Sequence, residues 1–118
     1  MVDPRILCRK HLLGEHVEMH MFVGSIHKEL SMAGYVKNNL MQPLALRSRH
    51  EALVDEMTRR GMNHKSPLPE FSIDYLPAKQ KVATVDVDSA LADLLNRCPE
   101  CQARYDAIKN GEDPDEDL

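Results

Sequence analysis

The densest cluster of reactive side chains in this sequence runs from His11 to His20. On a helix, where successive residues are about 100° apart, His11, Glu15 and Glu18 share one side. Glu15 and Glu18 are i, i+3 neighbours whose charges repel, and partial burial raises the pKa of a carboxyl group. A carboxyl group with a raised pKa suits general acid–base catalysis. The alternative interpretation is a solvated helix flank whose carboxylates pair with Arg or Lys.

A second flank of the same helix carries imidazoles, contributed by His16, His20 and His27. His16 and His20 have the i, i+4 spacing that lets two imidazoles bind one metal ion. The segment His-Val-Glu-Met-His differs, however, from the His-Glu-x-x-His motif of zinc proteases. We therefore predict that this imidazole flank binds no structural metal.

The cysteines give a second, incomplete metal signal. Cys98 and Cys101 form a Cys-Pro-Glu-Cys unit, whereas Cys8 stands apart in the sequence. A zinc site usually combines two such pairs, and the second Cys pair is missing. A mixed site of Cys98, Cys101 and two histidines is geometrically allowed. The alternative is a capped helix junction at Pro99, with the thiols packed as small apolar groups.

The spacing of apolar residues predicts the helix that carries the reactive cluster, over about residues 10–30. Its apolar stripe has helical periodicity and includes His16. Asp3 and Pro4 predict a short turn before it, because Asp caps a helix and Pro suits its first position. Gly14 and Gly24 lie inside the helix, where we expect close approach of a second backbone. The stripe consists of Leu12, Met19, Val23, Ile26 and Leu30.

Two further helices complete the predicted fold. Pro43 opens the second helix, which ends at Gly61. Asp88 caps a third helix over residues 89–97, followed by a last turn towards Ile108. The buried side of the second helix is expected to carry Leu46, His50, Leu53 and Met57.

The segments between these helices are predicted to be irregular. Residues 31–42 read mostly as loop, and residues 62–81 contain three prolines, each of which removes a backbone donor. Residues 82–87 favour a short extended piece. The sequence therefore predicts an all-α fold, a single small domain of three main helices with a long wrapping loop.

Charge divides the chain into a body and a tail. The net charge of −4 comes from the end of the 118-residue chain, because residues 112–118 hold five acidic side chains. The body is near neutral and lacks the large excess of basic residues that is typical of nucleic-acid-binding proteins. A local basic surface stays an alternative. We expect a helical domain over residues 1–110 and a disordered acidic tail over residues 111–118, with a protein partner for the tail left open.

The sequence also bears on the cellular compartment. No apolar run approaches the roughly 18 residues of a membrane-spanning helix, and the N-terminus has no apolar signal region. Three cysteines are an odd number, which argues against the disulfide framework of a secreted domain. We therefore expect an intracellular protein without a membrane anchor.

Four segments, residues 11–18 (HLLGEHVE), 22–28 (FVGSIHK), 46–63 and 89–99, resemble the pyrimidine-dimer DNA glycosylases, the phage endonuclease V type of ultraviolet-damage repair enzyme. Residues 11–18 and 22–28 resemble the first long helix of that family. Residues 46–63 are similar to its second helix with an Arg-Gly-aromatic-Asn ending, and residues 89–99 to its third helix. The likeness covers most of residues 3–105, in order. It implies a phage or bacterial all-α protein that kinks damaged double-stranded DNA and flips out a base.

The resemblance also implies a covalent mechanism. In the family, the α-amine of the processed N-terminus attacks the sugar carbon at the lesion and forms a Schiff base, and β-elimination then cleaves the strand. The position that matches the attacking residue is Val2, exposed by removal of Met1. Glu18 matches the glutamate that supports the chemistry, and His11 matches a histidine near the site. The resemblance implies no metal and no other cofactor.

Contacts with the DNA backbone are assigned to basic side chains, because phosphate contacts dominate the affinity of such proteins. Two arginines of the family's first helix correspond here to Val17 and Met21, and its aromatic-rich C-terminal segment corresponds to residues 101–105. Each difference lowers the expected affinity for DNA. The predicted phosphate contacts are Arg5, Arg9, Lys10, Arg47, Arg59, Arg60 and Lys65.

The N-terminus decides between an enzyme and a non-enzyme. Relatives begin several residues earlier, and a turn at Pro4 leaves Val2 about one residue of slack, or roughly 3.5 Å. Because covalent catalysis needs the reacting atoms about 3–3.5 Å apart, we expect the Val2 amine to reach Glu18 poorly and the glycosylase to be weak. Two alternatives stay open: a non-enzymatic relative that uses the same scaffold to bind DNA or protein, and a small metal-binding protein.

Overall fold

The computed structural model describes residues 2–38, 41–63 and 67–115, and every regular element within them is a helix. The predicted all-α fold is therefore confirmed. A 3-10 turn at Pro4–Ile6 precedes the long helix α1, and a second at Pro43–Ala45 leads into α3. The helices are α1 (Arg9–His27), α2 (Ala33–Lys37), α3 (Leu46–Arg59), α4 (Ala78–Lys81), α5 (Val87–Arg97) and α6 (Pro99–Lys109).

Helix α1 buries the predicted apolar stripe but ends three residues earlier than predicted. Glu29 adopts a left-handed conformation with φ 54°, and the Leu30 amide donates to the Ser25 carbonyl at 3.0 Å, which closes the helix end. Leu30 is consequently half exposed at 49%. No glycine marks this ending, so the pattern of residues did not predict it. The buried residues of α1 are Leu12, His16, Met19, Phe22, Val23 and Ile26.

The two glycines within α1 do not mark a helix crossing. A Cβ atom built on Gly14 or on Gly24 meets nothing within 4 Å. Helix α3 does pack against α1, but it does not approach α1 closely at these glycines. The expected close approach there is therefore wrong.

Helix α3 follows its prediction closely. Gly61 has φ +76°, and the Met62 amide donates to the Met57 carbonyl at 2.9 Å, which gives the predicted glycine-terminated end. All four residues predicted to face inward are buried, namely Leu46, His50, Leu53 and Met57.

The C-terminal helices differ from the prediction at their starts. The carboxylate of Asp86, not Asp88, accepts from the Ser89 amide at 3.1 Å, so α5 begins two residues earlier. The predicted short turn after Cys98 is a full helix, α6, with Pro99 in its first turn. The described residues therefore form four helices of eleven residues or more, where three main helices were predicted.

The wrapping loop is held against the helices by an arginine. The Arg47 guanidinium donates to the Pro69 carbonyl at 2.8 Å and lies 5.4 Å from the centre of the Phe71 ring. Leu68 and Leu76, which belong to the loop, are themselves buried. Helix α4 ends this segment, and residues 83–86 run without regular structure into α5, so the extended piece predicted there is absent from this described stretch.

The start of the acidic tail is docked. The Asp115 carboxylate accepts hydrogen bonds from Arg104 at 2.7 and 3.0 Å and from Arg59 at 2.6 Å. These arginines hold the pKa of Asp115 well below its usual range. Residues 111–115 thus differ from the predicted disordered tail, while residues 116–118 lie outside the described part of the chain.

Candidate active site

A cavity of about 320 Å³ opens between the N-terminal segment, α1 and α5. Its volume lies at the lower end of the roughly 300–1,000 Å³ that small-molecule sites occupy. Met19 and Leu94 contribute apolar wall. All three residues that the sequence analysis assigned to catalysis line this one cavity, namely Val2, His11 and Glu18.

Val2 lies in the wall of the cavity because the chain folds back before α1. The 3-10 turn at Pro4–Ile6, capped by the Asp3 carboxylate, brings Val2 into the apolar core cluster, where it is only 8% exposed. The Arg49 guanidinium donates to the Val2 carbonyl at 2.6 Å. Val2 and Glu18 therefore line the same cavity. That the Val2 amine reaches Glu18 poorly stays a prediction.

Arg49 also separates the roles of the two carboxylates on α1. It donates to both carboxylate oxygens of Glu15, the Nη2–Oε1 distance being 3.0 Å, so Glu15 is an anchor for the N-terminal segment. Partial removal of the Glu18 carboxyl from water raises its pKa above the ordinary value, repulsion from Glu15 adds to this, and the Arg97 charge opposes it. A carboxyl group with a raised pKa is of the kind that general acid–base catalysis uses.

A protein family matches this part of the chain. The model of the family described as pyrimidine dimer DNA glycosylase matches residues 1–70, which is more than half of the sequence. The chain belongs to the pyrimidine dimer DNA glycosylase family. No individually curated protein and no solved structure matches the chain in the same comparisons.

Family membership gives the protein a DNA repair role at pyrimidine dimers, with DNA as its substrate. The matched segment includes Val2, His11 and Glu18 and stops before α5 and α6. The far wall of the cavity, built by α5, therefore lies outside the match. Within the described ranges, none of the helices combines the length and apolar character needed to cross a bilayer.

Some of the predicted phosphate contacts are exposed near the cavity of this glycosylase-family chain. Arg9 and Lys10 are exposed in the first turn of α1, and Lys10 lines the cavity. Arg5 is also exposed, although its guanidinium pairs with the Asp3 carboxylate at 2.8 Å. Lys65 lies outside the described residues.

The other predicted phosphate contacts hold the protein together. Arg60 has a side chain only 5% exposed and donates to the carbonyl oxygens of Pro4, Arg5 and Leu7, the shortest bond being 2.7 Å. Arg59 donates hydrogen bonds to both Glu56 and Asp115, and Arg47 donates to the Pro69 carbonyl of the wrapping loop. The assignment of Arg60 to DNA contact is corrected, because its donors are buried against the N-terminal segment.

Sequence reasoning missed Arg97 as a site residue. It lines the cavity from the end of α5, and its side chain is 64% exposed beside Asp93 at 3.4 Å. The only sequence signal was its place at the end of an amphipathic helix. Nothing in the spacing showed that this helix end would lie across from Glu18.

The histidines that cluster in the structure are not the same three that were predicted to lie together. The rings of His16 and His20 on α1 and of His50 on α3 lie with centroids 5.0–5.3 Å apart. His27 lies elsewhere, with its Nε2 at 2.8 Å from the Glu70 carbonyl. One ring nitrogen from each of the three clustered histidines falls within 4.8 Å of the others. That the flank binds no structural metal stays a prediction.

The cysteines also come together in a way that the sequence did not indicate. Cys8, expected to stand apart, lies with its Sγ 3.9 Å from that of Cys98. Cys101 and His11 join the same cluster. Burial raises the pKa of the Cys101 thiol to about 12.

Proposed function

We propose that the protein is a DNA glycosylase with an associated strand-cleaving lyase activity, and that the α-amine of Val2 and the carboxyl group of Glu18 carry the reaction. The observation that supports this most is their placement in one cavity. Arg49 clamps the Val2 carbonyl and Glu15 together, and Glu18 lies one helical turn beyond Glu15.

The first step replaces the base by the protein. The amine exposed on Val2 by removal of Met1 attacks the sugar carbon that bears the damaged base, so a carbon–nitrogen bond forms as the glycosidic bond breaks. The electron pair of the broken bond leaves with the base, and the amine gives up one proton. The bond between the same sugar carbon and the ring oxygen then breaks as the ring oxygen takes up a proton, which leaves the open-chain, cationic Schiff base. A terminal amine suits this role because its ordinary pKa is about 8, against about 10.4 for Lys.

Glu18 supports the charge and the protons of this sequence. Its carboxylate stabilises the cationic Schiff base beside it, and it can take the proton from the neighbouring sugar carbon. Loss of that proton expels the phosphate on the 3′ side and cleaves the strand by β-elimination. Since its pKa is raised, Glu18 takes up and releases a proton more readily near neutral pH than an ordinary glutamate does.

Binding of the duplex is assigned to cations around the opening of the cavity. Lys10 on α1 and Arg97 on α5 line it from opposite elements, and both are exposed. We expect them to contact phosphates on either side of a flipped nucleotide. Such contacts position the DNA and leave selection of the lesion to the cavity.

The proposed function is tested with supercoiled plasmid, irradiated with ultraviolet light or left untreated, and incubated with the full-length protein without added metal. We expect relaxed circles from the irradiated plasmid alone, because the lesion is needed for flipping and attack. Equal nicking of both plasmids would contradict the proposal. If irradiated DNA is bound in a gel-shift assay but never nicked, the scaffold serves binding and the catalytic assignment is wrong.

A further inference from the structure

Four potential metal ligands converge at the start of α1. Within the cluster, the Cys8 Sγ lies 3.9 Å from the Cys98 Sγ and 3.1 Å from the His11 Nδ1. The Cys101 Sγ lies 3.6 Å from the same His11 nitrogen. One ligand atom from each of the four residues falls within 4.8 Å of all the others.

We propose that Cys8, His11, Cys98 and Cys101 bind one Zn²⁺ ion in a closed, tetrahedral structural site. In tetrahedral geometry, Zn–S bonds of about 2.3 Å and Zn–N bonds of about 2.0–2.1 Å put two sulfurs about 3.8 Å apart and a sulfur about 3.5 Å from a nitrogen. The distances of 3.9 and 3.6 Å match these values, and 3.1 Å is somewhat short. Three thiolates and one imidazole form a standard structural zinc set.

Backbone amides donate hydrogen bonds to two of the sulfurs. The Cys8 amide donates to the Cys101 Sγ at 3.2 Å, and the Cys101 amide donates to the Cys98 Sγ at 3.4 Å. Cys98 caps the N-terminus of α6, where the helix dipole favours negative charge. Thiols packed as small apolar groups would need neither these donors nor an imidazole nitrogen directed at them.

The site would join parts of the chain that are distant in sequence. Cys8 and His11 belong to the start of α1, whereas Cys98 and Cys101 form the junction of α5 and α6. Because α5 and α6 lie outside the residues that match the family, the match gives no information on the complete four-residue cluster. His11 also lines the cavity, so the ion would fix the wall on which the lesion rests. A filled set of four protein ligands leaves no open position, which makes the role structural.

The cluster of His16, His20 and His50 serves as the internal comparison. It offers three ligand atoms within 4.8 Å, one fewer than a closed tetrahedral site needs, and no thiolate. We therefore expect one zinc ion per chain and not two. The inference is independent of the proposed function, because metal content is measured without DNA.

The decisive experiment is metal analysis of the full chain, purified without chelator, by inductively coupled plasma mass spectrometry. Binding exchanges thiol protons for the ion and needs no oxidant. We expect about one zinc per chain, an at least roughly tenfold loss of zinc in Cys101→Ser, and unchanged zinc in the matched variant His20→Gln. Zinc retained by Cys101→Ser but lost from His20→Gln would overturn the assignment.

A second measurement covers the case in which Cys101→Ser fails to fold. The wild-type protein is reduced, stripped with a chelator and titrated with Co²⁺, which reports tetrahedral thiolate ligation through its visible spectrum. Saturation at one Co²⁺ per chain, with sulfur-to-cobalt charge-transfer absorption and displacement by Zn²⁺, is the expected result. A fully reduced protein that gives no such absorption, and no zinc in the purified wild type, would refute the site.

Discussion

Replacing Glu18 by Gln is expected to lower incision of ultraviolet-irradiated DNA by about 10²–10⁴-fold, the usual contribution of a positioned acid–base group. Gln keeps the size and hydrogen-bonding capacity of the side chain but can neither carry the negative charge that stabilises the Schiff base nor exchange the proton. The side chain is exposed at the cavity, so the fold should be unchanged. Single-turnover rates on a duplex with one defined pyrimidine dimer measure the effect.

The matched control for this variant is Glu70→Gln, which removes the same charge from a side chain that is 99% exposed and away from the cavity. It should incise like the wild type. Near-normal single-turnover incision by Glu18→Gln, with thermal stability unchanged, would show that another group does the work assigned to Glu18.

Replacing Glu56 by Gln is expected to destabilise the protein by about 3–5 kcal/mol, the cost of breaking a buried ion pair. The Glu56 side chain is 5% exposed and accepts hydrogen bonds from Arg59 at 2.6 Å and from Arg60 at 2.6 Å. Arg60 in turn donates to the carbonyl oxygens of Pro4, Arg5 and Leu7, and Arg104 donates to that of Arg5 at 3.0 Å. The melting temperature should fall by about 10 °C or more, and the N-terminal segment should loosen with it.

The pH dependence of this effect identifies its cause. Burial alone would raise the pKa of Glu56, but the hydrogen bonds and charges of Arg59 and Arg60 outweigh it and lower the pKa below the ordinary 4.5. A carboxyl group with a lowered pKa in the folded state stabilises the fold above its unfolded pKa, and loses this contribution as pH falls through the folded value. The gap in stability between wild type and Glu56→Gln should therefore be full at pH 7 and shrink well below pH 4.5.

Thermal unfolding at neutral and acid pH measures that gap, with Asp55→Asn as the control. Asp55 lies exposed on the same helix, α3, so its replacement should change stability little at either pH. A Glu56→Gln protein as stable as the wild type at neutral pH would mean that the buried arginine cluster does not anchor the N-terminal segment.

The sequence predicted the elements whose signals are local. The periodic stripe of α1 and the glycine that ends α3 both report contacts within a few residues, and both predictions hold except at the end of α1. That end depends on Glu29 in a left-handed conformation, for which the sequence offers no preference. Asp115 binds Arg104 because the start of the tail lies against α6. The acidic composition of the tail predicted disorder, so it could not indicate this contact.

The candidate site was predictable only in part, for the same reason. The i, i+3 and i, i+4 spacings placed His11, Glu15 and Glu18 on one face of α1, and the structure brings these three to one cavity. Which residues from outside α1 join these three at the cavity depends on how the N-terminal segment folds back and on how α5 packs. Arg97 and Cys98 therefore could not be joined to that face by spacing, because roughly ninety residues separate them from the start of α1.

The central claim, that the amine of Val2 carries the reaction, is tested most directly by borohydride trapping. Full-length protein, with its processed N-terminus established by intact mass, is mixed with a dimer-containing duplex and reduced with borohydride, which fixes a Schiff base as a stable amine. Protease digestion and mass spectrometry then locate the attached sugar. Lys10→Gln is the matched control, because Lys10 offers the competing amine in the same cavity. We expect an adduct on the Val2 amine that persists in Lys10→Gln. An adduct on Lys10 instead, or none from a protein that binds the duplex, would show that the Val2 amine does not carry the reaction.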